Sequence, residues 1–512
     1  MLKTVLILAL LITVNGFKLP KCRNPSECYE ERLHPQFEPS LSSRTSENAE
    51  ETTEFWFESA KNFTESQIEK TMNKNVAKNV IFFIGDGMSI PTLAAARNYM
   101  GGEEVKLAFE KFPYVGLSRT YAVDKIVPDS AATATSYLCG VKANYNTIGI
   151  NAGVLLNDCN ENVAHRVTSI AKWSMDVGKS AGIVTTTRVT HASPAGTYAS
   201  VANRNWENNK IMEDVCGKTN LKDIAEQLVY GDTGKNFKVI LGGGKREFID
   251  SSLFEKGRRS DGRNLIEEWL SLSPNRKFVE EKEELFNVNV DETDRLLGLF
   301  TNGHMKFHLE DKKQKQPTLA EMTQKAIEML QKNENGFFLF VEGGKIDIAH
   351  HDTSAIYALD ETAELSKAVE LAKEMTNQED TLIVVSSDHS HTMSFAGYDN
   401  RHGDIFGDTN KKANDDKRFL KLSYANGQGF DTYYNTEKNQ RRNPNNIDRS
   451  SPDAFFPSAL PLESETHGGD DVAVFASGPW SHLFTGAYEQ NVLPHLMAYA
   501  SCVGDGIKAC NN

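Results

Sequence analysis

Carboxylates and imidazoles recur at one kind of place in this chain, directly after short apolar runs. Residues 80–84 (VIFFI) are followed by Asp86, set between two glycines. Residues 182–186 lead into Thr190, His191 and Ser193, and then to Arg204. After residues 337–341 come Glu342 and Asp347, with His350 and His351 close behind. Residues 382–385 are followed by Asp388, His389 and His391, and His467 stands just before the run 472–475. Each cluster alone has an ordinary reading. Gly-Asp-Gly is a common turn. Asp347 and His351, at i and i+4, are either a polar helix face or a metal-binding pair. A lone His467 is an everyday loop histidine. Asp-His-Ser-His after an apolar strand is harder to bury without a partner. Taken jointly, mixed Asp and His sets suit zinc, and an oxygen-rich set with a hydroxyl suits magnesium. Two zinc ions about 4 Å apart clamp the entering and leaving oxygens of an in-line displacement.

A second chemical signal lies at residues 127–141, VPDSAATATSYLCGV. Ser130 precedes an Ala- and Thr-rich run that reads as a closely packed helix. A serine hydroxyl there sits beside free backbone N–H groups and the positive end of the helix dipole. That is a place to bind phosphate or to support an alkoxide. The plain alternative is an N-cap made by Asp129-Ser130. The residues around Ser130 do not choose between cap and nucleophile.

These side chains must be held by a scaffold. The apolar runs at 80–84, 182–186, 239–241, 337–341, 382–385 and 472–475 alternate with helix-like stretches, among them 318–330 and 355–375. The pattern predicts an α/β fold with a mostly parallel central sheet and helices on both faces. Ligands in such sheets bind beyond the carboxyl ends of the strands, where the polar clusters fall. Residues 396–465, rich in Asn, Gly, Asp, Lys and Arg, read as an inserted lobe with one strand at 419–424. Residues 55–74 read as an exposed amphipathic helix whose Phe55, Trp56 and Phe57 need a surface to cover them. The expected organisation is a leader at 1–16, a flexible extension at 17–54, a catalytic domain at 55–395, the lobe at 396–465, and a return to the catalytic domain at 466–512.

The net charge of −14 argues against nucleic acid as a partner. Lys3, the apolar stretch 5–14 and Gly16 form a secretory signal with cleavage before Phe17. No other span is long enough for a membrane, and residues 500–512 are too polar for a glycolipid-anchor signal. A secreted, extracellular protein is expected. Of the seven cysteines, spacing favours Cys22–Cys28 and Cys502–Cys510, leaving Cys159–Cys216 as a longer bridge and Cys139 as a buried free thiol. Asn62-Phe63-Thr64 is an N-glycosylation sequon.

Eight segments together resemble the alkaline phosphatases of animals: NVIFFIGDGM (79–88), PDSAATATSYLCGVK (128–142), HASPAGTY (191–198), NRNW (203–206), VILGGGK (239–245), GFFLFVEGGKIDIAHH (336–351), DHSHTMS (388–394) and ETHGGDDVAVF (465–475). The resemblance covers about residues 55–510. It implies hydrolysis of a broad range of phosphate monoesters through a phosphoserine. Ser130 matches the nucleophile and Arg204 the arginine that grips the phosphate oxygens, with Asp129 orienting it. The resemblance further implies two Zn2+ and one Mg2+ per subunit. One zinc takes Asp347, His351 and His467. The other takes Asp86, Asp388 and His389. Magnesium takes Asp86, Ser193 and Glu342. His191 and His391 match positions just behind these ligands. A homodimer is implied, with the 55–74 helix as an arm around the partner and the 396–465 lobe as a crown at the interface.

The chain departs from that pattern in three places. Ile348 stands where vertebrate members have His and a bacterial member has Lys, which removes a polar group near the phosphate. Thr301 and Gln316 occupy positions of calcium-binding carboxylates in vertebrate members, and neither is charged, so calcium is not expected. The glycolipid-anchor signal of many relatives is absent. Two rival readings are a hydrolase of another ester, phosphodiester or sulfate, and a non-catalytic secreted binding protein on the same scaffold. Ser130 lacks the Cys-x-Pro-x-Arg-type setting of sulfatases. A relic site would leave its charged ligands uncompensated.

Overall fold

The computed structural model describes residue 50 and residues 52–160, 163–313 and 315–511. The leader, most of the extension and the Cys22–Cys28 pair lie outside the described residues. The strands of the central sheet are β1 (Asn79–Gly85), β2 (Tyr114–Arg119), β3 (Ser180–Arg188), β4 (Val239–Gly243), β5 (Arg276–Val279), β6 (Arg295–Leu299), β7 (Phe337–Gly343), β8 (Thr381–Ser387), β9 (Val472–Ser477) and β10 (Gly486–Glu489). They lie in the order β10-β2-β9-β8-β1-β7-β3-β4-β6-β5. All six apolar runs are strands of this sheet. β1, β7 and β8 are buried along almost their whole length, as expected of parallel strands covered on both faces.

Alternate residues of β1 feed two cores. Val80, Phe82 and Ile84 pack on one side and Ile81 and Phe83 on the other. The helices include α1 (Thr53–Ile68), α2 (Ser130–Cys139), α3 (Leu319–Leu330), α4 (Lys345–His351), α5 (Ala355–Met375) and α6 (Leu493–Ser501). α2 and α6 cover the first side, and α3 and α5 cover the second. Every residue of α2 is buried. Its small side chains allow a close approach, since a Cβ on Gly196 would sit 2.7 Å from that of Ala134.

Strand register alone assembles much of the site. Gly85 of β1 is level with Gly343 of β7 and Ser387 of β8. The residues next to these in the chain, Asp86, Glu342 and Asp388, therefore meet at one edge. β9 runs antiparallel to β8. Its amino end thus lies at the same edge as the carboxyl ends of its neighbours, which brings in His467. His467 pairs with His391 across a short two-stranded ladder.

Two expectations need correction. The helix predicted over 55–74 begins at Thr53, after an N-cap at Thr52, and ends at Ile68. Beyond it the chain docks on the body, where Asn73 accepts the Trp480 N–H and Ala77 donates to Ala500. The strand predicted at 419–424 is broken at Lys421. Arg418–Leu420 pairs with Asp408–Lys412, whereas Leu422–Gly427 joins Met393–Phe395 and Ser458–Pro461 in a three-stranded sheet. Lys421 is buried at the break, with Nζ 2.6 Å from Asp399. The Cys159–Cys216 and Cys502–Cys510 bridges are present, and Cys139 is buried and free.

Candidate metal centre

Asp129 is the N-cap of α2, with its carboxylate accepting from the N–H groups of Ala131 and Ala132. Ser130 is therefore the first helical residue and its hydroxyl is not used in capping. Its Oγ lies 3.3 Å from His389 Nε2. Asp129 also holds Arg204, whose Nη1 is 2.9 Å from Oδ2, while Nη2 is 3.0 Å from His191 Nε2. Ser130, His191 and Arg204 open into a cleft of about 310 Å³ that Asp347, Ile348, His351 and His467 also line. A larger cavity of about 420 Å³, lined by Tyr198, Trp206 and Tyr230, gathers no such ligand set.

Asp347 and His351 face one way on α4, and His351 Nε2 is 3.3 Å from Asp347 Oδ1. His467 Nε2 is also 3.3 Å from that oxygen and 3.1 Å from His351 Nε2. Beside them, His389 Nε2 is 3.1 Å from Asp388 Oδ2 and 3.5 Å from Asp86 Oδ1. A third group joins Asp86, Glu342 and His191, and the Ser193 hydroxyl lies against Glu342.

The hydrogen-bond pattern shows which atoms are free to ligate. His351, His389 and His467 each direct Nδ1 at a backbone carbonyl, of Glu465, Ser390 and Pro128. A carbonyl only accepts, so Nδ1 carries the proton and Nε2 keeps its lone pair. His391 differs, because Nδ1 is 2.5 Å from Glu465 and Nε2 is 2.7 Å from Asp347. Those two carboxylates outweigh burial and raise His391 to about 10. It braces Asp347 on one side and is held by Glu465 on the other.

Charge in the site points the same way. Burial, then the charges of Asp388, Asp347 and Glu342, pushes Asp86 well above the usual carboxylate range. Burial raises Glu342 to about 7. Burial also opposes ionisation of Asp347, but His351 and the hydrogen bonds of His391 and His467 hold it well below its usual value. Both oxygens of Asp86, Oε1 of Glu342 and Oγ of Ser193 are buried without a hydrogen bond. Glu342 Oε2, by contrast, accepts from Thr185 and Thr187. Converging carboxylates with unbonded oxygens and imidazoles with free Nε2 fit divalent cations.

Comparison with known proteins decides the family. A family model described as Alkaline phosphatase matches residues 77–503. The chain belongs to the alkaline phosphatase family. It is 45% identical over 508 residues to the membrane-bound alkaline phosphatase of Bombyx mori, covering 94% of this chain and 91% of that one. It is 44% identical over 483 residues to the tissue-nonspecific isozyme of Gallus gallus, covering 90% and 92%. The solved alkaline phosphatase of Thermus thermophilus aligns with a TM-score of 0.61 at 22% identity, over 86% of this chain and 96% of that one. The enzyme is a phosphomonoesterase of mixed α/β fold.

Several contributors to the phosphatase site were not singled out in the sequence. Glu465 clamps His391 and Thr392, and only its place at the head of a motif hinted at it. Thr185 and Thr187 alternate along β3, the strand period that aims both at Glu342. Gln490 donates to the Asp388 carbonyl at 2.7 Å and gave no signal. Thr301 and Gln316, where calcium is not expected, bond within the chain: Thr301 donates to a backbone carbonyl and Gln316 accepts from the Lys306 N–H.

Proposed function

We propose that the phosphatase works by phosphoryl transfer to Ser130, followed by hydrolysis of the phosphoserine. The observation that carries this is the Ser130 hydroxyl, free of capping duty and 3.3 Å from His389 Nε2, at the edge of the ligand clusters. Two zinc ions, at Asp347, His351 and His467 and at Asp86, Asp388 and His389, with magnesium at Asp86, Ser193 and Glu342, would supply Lewis acidity and a template for the entering and leaving oxygens. The chain's own residues do the rest. Nη1 and Nη2 of Arg204 each use one hydrogen on Asp129 and His191. Each keeps a second, matched to two oxygens of a phosphoryl group. The amino end of α2 adds its dipole beneath the same group. Ile348 gives the cleft an apolar wall that accepts leaving groups without hydrogen bonding to them, so recognition stops at the phosphoryl group and the range of monoesters is broad.

p-Nitrophenyl phosphate turnover tests this reading. Ser130→Ala should remove nearly all activity while the protein stays folded, and chelation should remove it reversibly, with zinc plus magnesium restoring it. A Ser130→Ala enzyme running at wild-type rate overturns the assignment.

A catalytic domain at 55–395 and 466–512 around the 396–465 lobe, N-glycosylation at the exposed Asn62, secretion and a homodimer belong to the same proposal. Secretion rests on the leader at residues 1–16. Among the described residues no helix is long and apolar enough to cross a membrane. The Bombyx relative is named as membrane-bound, so fractionation of expressing cells separates release into medium from retention on membranes.

A further inference from the structure

The cleft holds a second arginine that the proposed mechanism does not use. Arg188, at the end of β3, lines the cleft together with Ser130 and Arg204, and so does Glu207, three residues beyond Arg204. The two side chains close a fork, with Nε 2.7 Å from Oε2 and Nη2 2.5 Å from Oε1. They are only 13% and 10% exposed. Thr190 donates to Glu207 Oε2 at 2.6 Å. The remaining Arg188 nitrogen, Nη1, is 2.5 Å from His304 Nε2. Burial and the charge of Arg188 hold His304 down to about 2, so it is a neutral acceptor.

A guanidinium fork fits a phosphate as well as it fits a carboxylate. Glu207 therefore occupies the place of a second phosphate and cancels the charge that would attract one. The two arginines are linked within this cleft. Arg204 reaches His191 at 3.0 Å, the rings of His191 and His304 are 5.1 Å apart, and His304 reaches Arg188. Arg188 and Arg204 line the same cleft, so the second fork faces a substrate held by the first.

We propose that Glu207 is a specificity-determining residue: by filling the fork of Arg188 it turns the cleft against esters that carry a second phosphate. The proposal rests on the cleft being the catalytic site. Removing the carboxylate leaves the Arg188 fork without its partner, and a cation brought near a phosphate changes affinity about tenfold.

The test compares kcat/KM for fructose 1,6-bisphosphate and fructose 6-phosphate in the metal-loaded enzyme. The wild type should favour the monophosphate or treat both alike. Glu207→Gln should raise the bisphosphate-to-monophosphate ratio about tenfold, mainly through KM, and the double variant with Arg188→Gln should lose that gain. A folded Glu207→Gln enzyme with an unchanged ratio overturns the proposal. Should that variant not fold, the wild type still decides, because a tenfold preference for the bisphosphate overturns it equally. Ser130→Ala, run alongside, separates the two readings: if it stays active the cleft assignment fails, and if it is dead while the ratio is flat only the role of Glu207 fails.

Discussion

At the scale of single residues, Asp129 joins three jobs that separate variants can pull apart. Its backbone is extended (φ −109°, ψ 166°), as an N-cap requires, and its carboxylate caps α2. The same carboxylate holds Arg204 and accepts the Asn146 N–H at 2.8 Å. Asp129→Asn keeps a capping oxygen but loses the charge on Arg204, so phosphate should inhibit several-fold less strongly at little cost in kcat. Asp129→Ala should lose the cap as well, lowering stability by about 1 kcal/mol beyond the Asn variant. Equal melting temperatures for the two variants would refute the capping role. The ligand candidates were legible from residue type and position after strands. What was not legible is which hydroxyl or carboxylate caps: Ser130 and Asp129 are both good N-caps by type, and only the extended backbone at Asp129 decides. Nor does sequence reveal that His391 sits between two carboxylates, since Glu465 is far away in the chain.

At the scale of elements, the sheet was readable where strands are buried on both faces and unreadable where they are not. β2 has an alternating burial pattern with Val115 and Leu117 exposed, and no continuous apolar run marks it. The reversed direction of β9 was also hidden, because an apolar run carries no sign of its polarity. Yet that direction is what puts His467 at the working edge. On the far side, α5 turns Asp360 and Glu364, one helical turn apart, towards His308, with Nδ1 2.8 Å from Asp360 and Nε2 3.7 Å from Glu364. Burial pulls His308 down, but the hydrogen bond to Asp360 and the charges of Glu364, Asp360 and Glu361 outweigh it and lift it above 6.5. A raised histidine stabilises the fold fully below its unfolded value and stops doing so as pH rises through its folded value. His308→Gln should therefore lower the melting temperature at pH 5.5 and have a much smaller effect at pH 9.5, measured against wild type with zinc and magnesium in both buffers. A deficit equal at both pH values would mean that packing, not charge, is what His308 contributes.

At the scale of the whole molecule, α1 is the element that a single chain does not explain. None of its sixteen residues is buried. Trp56, Phe57 and Phe63 are 53%, 72% and 65% exposed, and Ile68 is 77% exposed. An isolated helix of this length is marginal in water, and helices in proteins are held mostly by packing of an apolar face. Aromatic side chains gathered on a helix without cover mark a surface that meets another, and the family resemblance points to a second copy. With a chain mass of 57.0 kDa, light scattering should give about twice that value, plus any glycan. Replacing Trp56, Phe57 and Phe63 together by Glu removes apolar area that the lone chain leaves in water, so the fold should keep its melting temperature at high dilution. The dimer should dissociate at a protein concentration at least tenfold higher than for wild type, since losing even one well-buried aromatic contact costs about 2 kcal/mol. An unshifted dissociation curve would place the contact between subunits elsewhere and leave the aromatics of α1 to another partner.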